Sequence, residues 1–217
     1  MRGLQLFLKR VFDFTASLIA LIILSPILFV IAVIIKLTSK GPVFFQQERL
    51  GRNGKTFKII KFRTMILNAE HIGEGLRVSS EKDPRITAIG RVLRATSADE
   101  LPNLLNVLIG DMSLVGPRPP VTYHPYQGYD NYPEWAKKRF EMRPGVTGLA
   151  QATVRNSASW DDRIEIDNKY VDGFSILMDI RVLFWTVKRV VKSDDIYGVP
   201  NQIEKKEQQQ EKETVGK

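Results

Sequence analysis

Apolar and polar positions follow several different rhythms along this chain. From Phe14 to Ile35 it reads FTASLIALIILSPILFVIAVII, without one charged residue. As a helix that run measures about 33 Å at ~1.5 Å per residue, against a hydrocarbon core of roughly 30 Å. Residues 41–65, GPVFFQQERLGRNGKTFKIIKFRTM, set two apolar-aromatic runs on either side of Asn53-Gly54 and predict a β-hairpin. Residues 66–90 are mixed, and SSEKDPRITAIG carries the turn residues of a surface loop. Leu101, Leu104, Leu105 and Leu108 fall at i, i+3, i+4 and i+7, one face of a helix, before GDMSLVGPRPP ends it. Residues 120–150 are rich in aromatics and prolines, so an irregular but packed segment is expected. Gly145 and Gly148 there mark backbone turns or close approach to a ligand. Leu177, Ile180, Phe184, Val187 and Val191 predict an amphipathic helix over 174–192. Two readings stand for it: a core helix with a dipole-matched basic end, or a helix on a membrane surface with Trp185 at the interface. Residues 201–217 are Lys, Glu and Gln with almost nothing apolar, the pattern of a disordered or frayed tail.

The flanks of the long apolar run sharpen its meaning. Arg2, Lys9 and Arg10 precede it, and Lys36, Lys40, Arg49, Arg52 and Lys55 follow. Lys and Arg stay on the cytoplasmic side, so both ends ask for the same side, which one straight span cannot satisfy. Ser25-Pro26 sits in the middle. Proline removes a helical hydrogen bond and kinks the helix, and the Ser25 hydroxyl can satisfy a freed carbonyl. A re-entrant helix-break-helix and a transmembrane helix with a tolerated proline both fit. A signal peptide does not: the run is too long, and KLTSKGP is a poor cleavage site.

The length of 217 residues suits one domain with appendages, and the absence of cysteine excludes a disulfide scaffold or thiolate chemistry. A net charge of +8 implies an anionic partner: nucleic acid, lipid or a phosphorylated substrate. Within this basic chain SADELP, residues 97–102, places Asp99 beside Glu100. Ser97 and Glu100 match a capping box, although Pro102 would then sit inside the helix. The alternative is phosphoryl chemistry. A carboxylate can attack a phosphoryl group, and the clash of negative charges then calls for Mg²⁺ and arginines. Arg91, Arg94 and Arg118 surround the pair. Lys61 and Arg63, ending the second hairpin strand, fit either a ligand or a solvated sheet edge.

SADELPNLLNVLIGDMSLVGPRP resembles the signature of the bacterial sugar transferases, the monotopic phosphoglycosyl transferases. KRVFDF…KFRTM resembles the family's N-terminal half and RPGVTGLAQ its later motif, so the resemblance runs over about 8–195 in the family's small form. It implies an α+β, mainly helical, single membrane-embedded domain. A re-entrant helix broken at Ser25 and Pro26 over 1–36 would precede a catalytic domain over 37–200, with the small hairpin and interfacial amphipathic helices, and then the 201–217 tail. The implied reaction moves a sugar-1-phosphate from a UDP-sugar to undecaprenyl phosphate, releasing UMP. It is ping-pong, through a covalent phosphoglycosyl-aspartate, and opens capsule, exopolysaccharide or other glycoconjugate synthesis. Asp99 maps to the nucleophile and Mg²⁺ contact, and Glu100 to its acid-base or positioning partner. Arg94 and Arg118 map to phosphate-binding positions, and Lys61 and Arg63 to the KFR motif. The implied location is the cytoplasmic face of the bacterial inner (plasma) membrane, among anionic lipids and with downstream glycosyltransferases as possible partners.

Two other classes compete. A membrane-tethered binding protein would tolerate changes at Asp99 and Glu100. A nucleic-acid binder would fit the charge, but no helix-turn-helix, zinc or RNP-type motif is present. VRNSASWDDR, residues 154–163, is a donor-specificity segment in which Asn156, Ser157 and Trp160 can meet a sugar, with a lean towards an N-acetylated hexosamine.

Overall fold

The computed structural model describes residues 2–72, 83–154 and 158–192. The 201–217 tail, Asn156 and Ser157 lie outside them. Helix α1 runs from Arg2 to Thr38 as one element of 37 residues, about 55 Å at ~1.5 Å per residue. The expected break at Ser25-Pro26 does not end it: Pro26 lies inside the helix, and Ser25 Oγ donates to Ile22 O at 2.8 Å. Ile22 O is the carbonyl that the missing N–H of Pro26 would have met, so the hydroxyl replaces the lost bond.

Strands β1 (Phe44–Leu50) and β2 (Thr56–Phe62) form the antiparallel hairpin, in register from Phe44–Phe62 to Leu50–Thr56. The turn uses left-handed φ values of 55° at Asn53 and 74° at Gly54, as an Asn-Gly turn requires. Next comes α2 (Ala88–Thr96), a helix the sequence reading passes over. Its first turn falls in the stretch expected to be loop, and Thr87 Oγ1 caps it by accepting from Gly90 N–H at 3.0 Å. After a 3₁₀ turn at Ala98–Glu100 come α3 (Asn103–Ile109) and β3 (Ser113–Val115). Short α4 (Glu134–Lys137) leads to β4 (Gly145–Thr147), which pairs parallel with β3. Helices α5 (Leu149–Thr153), α6 (Trp160–Asp172) and α7 (Ile176–Lys192) complete the described residues.

Gly145 and Gly148 serve close approach to backbone. A Cβ on either would run into the backbone of Gly116, so only glycine lets the β4 region lie against the end of β3.

The α3 helix forms but is rotated from its leucine pattern. Its buried residues are Asn103, Leu104, Asn106 and Val107, while Leu105 and Ile109 are exposed. Asn106 Oδ1 accepts from Ile60 N–H at 3.1 Å, Asn106 Nδ2 donates to Lys58 O at 2.8 Å, and Asn103 Oδ1 accepts from Ile60 N–H at 3.3 Å. Two asparagines thus satisfy the open edge of β2 and dock α3 on it.

Both ends of α1 seat on this one body. Near its N-terminus, buried Lys9 donates to Asp179 Oδ2 at 2.6 Å, and Asp13 accepts from Ser113 Oγ at 2.5 Å. Arg10 donates to Val107 O and Leu108 O at the end of α3. Near its C-terminus, Ile35 joins Phe62 and Leu93 in a buried cluster with Leu28, Ile31, Ala32 and Ala98 packed on it. Between those seats the apolar side chains face outward: Ile22 is 65% exposed, Ile23 68% and Phe29 70%. The expected amphipathic helix is α7, and its apolar stripe also faces out. Leu177, Ile180, Phe184 and Val187 are each more than half exposed, while Asp179 and Val182 are buried.

Candidate active site

The Asp-Glu pair occupies the 3₁₀ turn between α2 and α3. Ser97 ends α2 in the left-handed conformation at φ 57° and makes no side-chain cap bond to that turn. The capping-box arrangement is therefore not used, and the Glu100 carboxylate is engaged elsewhere. Lys61 donates to Glu100 Oε1, and Asn103 Nδ2 donates to Glu100 Oε2 at 2.6 Å. Alternation along β2 aims Lys61 at the turn, and the first turn of α3 supplies Asn103.

Asp99 differs from its neighbour. It is half-buried, and among the described residues its carboxylate meets no side-chain donor. Burial, together with the adjacent Glu100 charge, pushes its carboxyl up to about 6, against the pull of Lys61 and Arg94. Burial acts on Glu100 in the same sense. There the Lys61 ammonium and the Arg118 guanidinium outweigh it and hold the carboxyl below its usual range. Burial also lowers the Lys61 ammonium, with Glu100 opposing. Two adjacent carboxylates are thus set apart: Glu100 fixed, ionised and paired, Asp99 unpaired and more basic.

A shallow cleft beside the turn is lined by Arg49, Lys61, Glu100, Asn103 and Arg118 among others. Among the described residues no acceptor meets the Arg118 guanidinium, so it presents open donors of the kind that grip phosphate. Arg94 Nε donates to Thr64 Oγ1 at 3.0 Å, and its charge still acts on Asp99. Arg63 lies apart from this group. It is buried and donates to Ser39 O, Ser39 Oγ and Lys40 O, holding the two residues that follow α1. Its donors go to that segment and not into the cleft, which is the opposite of a ligand-facing residue. Lys61 is not a solvated edge charge either, because Glu100 takes it.

Sequence reading also missed Arg49. Its Nη1 donates to Pro119 O at 3.1 Å and its Nη2 to Gln47 Oε1 at 2.6 Å. Burial and nearby Arg118 push its guanidinium down to about 10. A lone Arg on a β-strand gives no signal of this. Trp160 opens α6, within an edge-on ring contact of His124 at 5.4 Å and under the Arg163 guanidinium at 5.5 Å. Arg163 in turn feels the charge of Arg118.

Among the described residues no group of three or more His, Cys, Asp or Glu gathers as a metal cage. A Mg²⁺ needs no such cage when substrate phosphate completes its shell, since one or two carboxylates then suffice. Asp99, with both oxygens free of side-chain donors, fits that role, whereas both oxygens of Glu100 are taken.

Residues 4–193 match the family described as bacterial sugar transferase. The chain is 43% identical over 190 residues to the uncharacterized sugar transferase EpsL of Bacillus subtilis (strain 168), covering 87% of this chain and 90% of that one. It is 42% identical over 205 residues to the undecaprenyl-phosphate galactose phosphotransferase of Salmonella typhimurium, covering 88% of this chain and 42% of that one. It is 41% identical over 192 residues to the UDP-glucose:undecaprenyl-phosphate glucose-1-phosphate transferase of Klebsiella pneumoniae, covering 86% of this chain and 41% of that one. The match along most of the chain leads to one conclusion: the protein belongs to the bacterial sugar transferase family and is a transferase of a phosphate-containing group.

Proposed function

We propose that this enzyme transfers a sugar-1-phosphate from a UDP-sugar to undecaprenyl phosphate, in two displacements through Asp99. The observation that carries the reading is the unpaired, half-buried Asp99 carboxylate beside a Glu100 whose oxygens are both held. In the first displacement an Asp99 oxygen attacks the sugar-bearing phosphorus. The Asp99–phosphorus bond forms, the bridging phosphoanhydride bond breaks, and its electron pair leaves on UMP. In the second, a phosphate oxygen of undecaprenyl phosphate attacks the same phosphorus and Asp99 departs as carboxylate. The product is an undecaprenyl diphosphate-sugar, a substrate for downstream glycosyltransferases. Arg118 and Arg94 offset the phosphate charge that repels the attacking carboxylate. Lys61 and Asn103 fix Glu100 so that its charge raises the basicity of Asp99. Mg²⁺, when bound through Asp99, supplies further charge neutralisation at the phosphates.

The reading includes a monotopic seat on the cytoplasmic face of the membrane. Support comes from α1, whose two ends contact the same body while its middle turns apolar side chains outward. A helix crossing the bilayer would carry one end away from that body. The outward stripe of α7 extends the apolar surface, and exposed Lys36, Lys40, Arg181 and Lys188 suit anionic lipid headgroups. Ala98, next to Asp99, packs on the cluster that seats α1. That arrangement suits a reaction between a soluble nucleotide sugar and a lipid phosphate at headgroup depth.

The test is UMP release in detergent with undecaprenyl phosphate and Mg²⁺, over a panel of UDP-glucose, UDP-galactose and UDP-N-acetylhexosamines. Wild type is expected to release UMP with one donor class, and Asp99→Asn and EDTA-treated enzyme to release none. Substantial turnover by Asp99→Asn would overturn the nucleophile assignment.

A further inference from the structure

The loop Pro117–Pro120 carries Arg118 into the cleft, and each of its carbonyls is held from a different place. Pro117 O accepts from Gly145 N–H at 3.0 Å and Pro120 O from Leu50 N–H at 3.0 Å. Pro119 O accepts from Arg49 Nη1 at 3.1 Å and Arg118 O from Arg139 Nη2 at 2.6 Å. With prolines at 117, 119 and 120 the loop has almost no N–H of its own to bond with. Its conformation must come from its neighbours.

Two of those donors are main chain and come with the strands. Arg139 is a different case. It is 1% exposed, and the same Nη2 reaches Asp167 Oδ2 at 2.7 Å, with Asp167 also 1% exposed. Its Nε and Nη1 have no partner among the described residues. Such a pair is expensive to desolvate, and well-packed apolar residues often serve stability as well or better. Stability alone therefore does not account for it, whereas its contact with the backbone of Arg118 does.

We propose that Arg139, oriented by Asp167, is a positioning residue for Arg118. It draws the Arg118 carbonyl away from the cleft and so turns the guanidinium towards the bound phosphates. The pair touches no substrate and acts only through Arg118. The inference rests on the reading of Arg118 as a phosphate ligand.

The test uses two readouts on the purified full chain: calorimetric binding of inorganic pyrophosphate, and UMP release. The variants are Arg139→Met/Asp167→Leu, which removes both charges together, Arg118→Ala, and their combination. The double variant is expected to melt within a few degrees of wild type, yet to bind pyrophosphate at least tenfold more weakly, as Arg118→Ala does. Added to Arg118→Ala it should cost less than a further twofold. Its kcat/KM for UMP release should fall at least as far as its affinity. Wild-type pyrophosphate affinity in the double variant, or a loss that multiplies in full on Arg118→Ala, would overturn the proposal. Should the double variant not fold, isosteric Asp167→Asn is expected to weaken pyrophosphate several-fold at unchanged melting temperature, and unchanged binding would contradict it. If wild type releases no UMP from any donor, the proposed reaction fails while the pyrophosphate comparison still decides the role of Arg139.

Discussion

Helices α6 and α7 follow one another across a short connection and expose opposite kinds of side chain. On α6 the buried residues include Ile164, Tyr170 and Val171, while Asp161, Asp162, Glu165, Lys169 and Asp172 face out. On α7 Ile180, Phe184 and Val187 face out, and Asp179 is buried with Lys9 and Tyr170 upon it. Hydrophobic burial accounts for α6 in water. It accounts for α7 only if the outer face meets something as apolar as itself, and the outward face of α1 is of the same kind. The chain thus has one polar outer side and one apolar outer side, and the proposed membrane seat puts lipid against the second. The acid turn is packed on the second side through Ala98 and faces, across the cleft, the Arg118 loop of the first, behind which Arg139 and α6 stand.

This contrast can be broken from either side. Lys9→Met strips the cation from buried Asp179 and Asp13. It should cost about 3–5 kcal/mol, the range for an uncompensated buried charge, read by thermal melting in detergent. Ile164→Ala on α6 should cost about 2–5 kcal/mol by leaving a cavity in an ordinary core. Ile180→Ala on α7 should change melting in detergent by no more than about 0.5 kcal/mol. Its effect should appear in sedimentation with anionic vesicles, where loss of one buried isoleucine, about 1.5–3 kcal/mol, weakens partition roughly 10–100-fold. A cavity-sized loss of stability at Ile180 in detergent, with vesicle binding intact, would mean that α7 packs against protein. The smallest effect is expected at Glu165→Ala, within about 0.5 kcal/mol in stability and with no change in vesicle binding.

The site adds a pH expectation. In the proposed reaction the first displacement needs ionised Asp99, whose carboxyl is pushed up to about 6 by burial and Glu100. At limiting Mg²⁺ the rate should therefore be level above that value and fall about tenfold per unit as pH drops below it. Raising Mg²⁺ should move the limb downward, since a cation favours the charged carboxylate. A rate independent of pH between 5 and 8 would contradict this assignment.

Local signals carried much of this into the sequence. Asn53-Gly54 sets the hairpin, the Ser25 hydroxyl answers Pro26, and DELP marks the acid turn. Helices α2 and α6 escape the apolar pattern because loop-like and polar residues occupy their first turns. Only Thr87 and the Ser159–Asp162 capping box announce them. The buried face of α3 departs from the leucine spacing because its packing is decided by the edge of β2, which asks for Asn103 and Asn106 where that spacing favours leucine. The α7 stripe is legible in the sequence, but periodicity reports that a face is apolar without saying whether protein or lipid covers it. Arg49, Arg139 and Asp167 act through contacts far away in sequence, which no local pattern encodes. Arg63 shows the converse: a motif position beside Lys61 whose charge holds the two residues that follow α1.

The most direct measurement of the central claim is the intact mass of the purified enzyme after incubation with its UDP-sugar and Mg²⁺, without lipid acceptor. The account predicts a wild-type adduct of one sugar-phosphate, mapped to Asp99, absent from Asp99→Asn, and discharged by undecaprenyl phosphate. Steady turnover with no adduct, or an adduct on another residue, would contradict it.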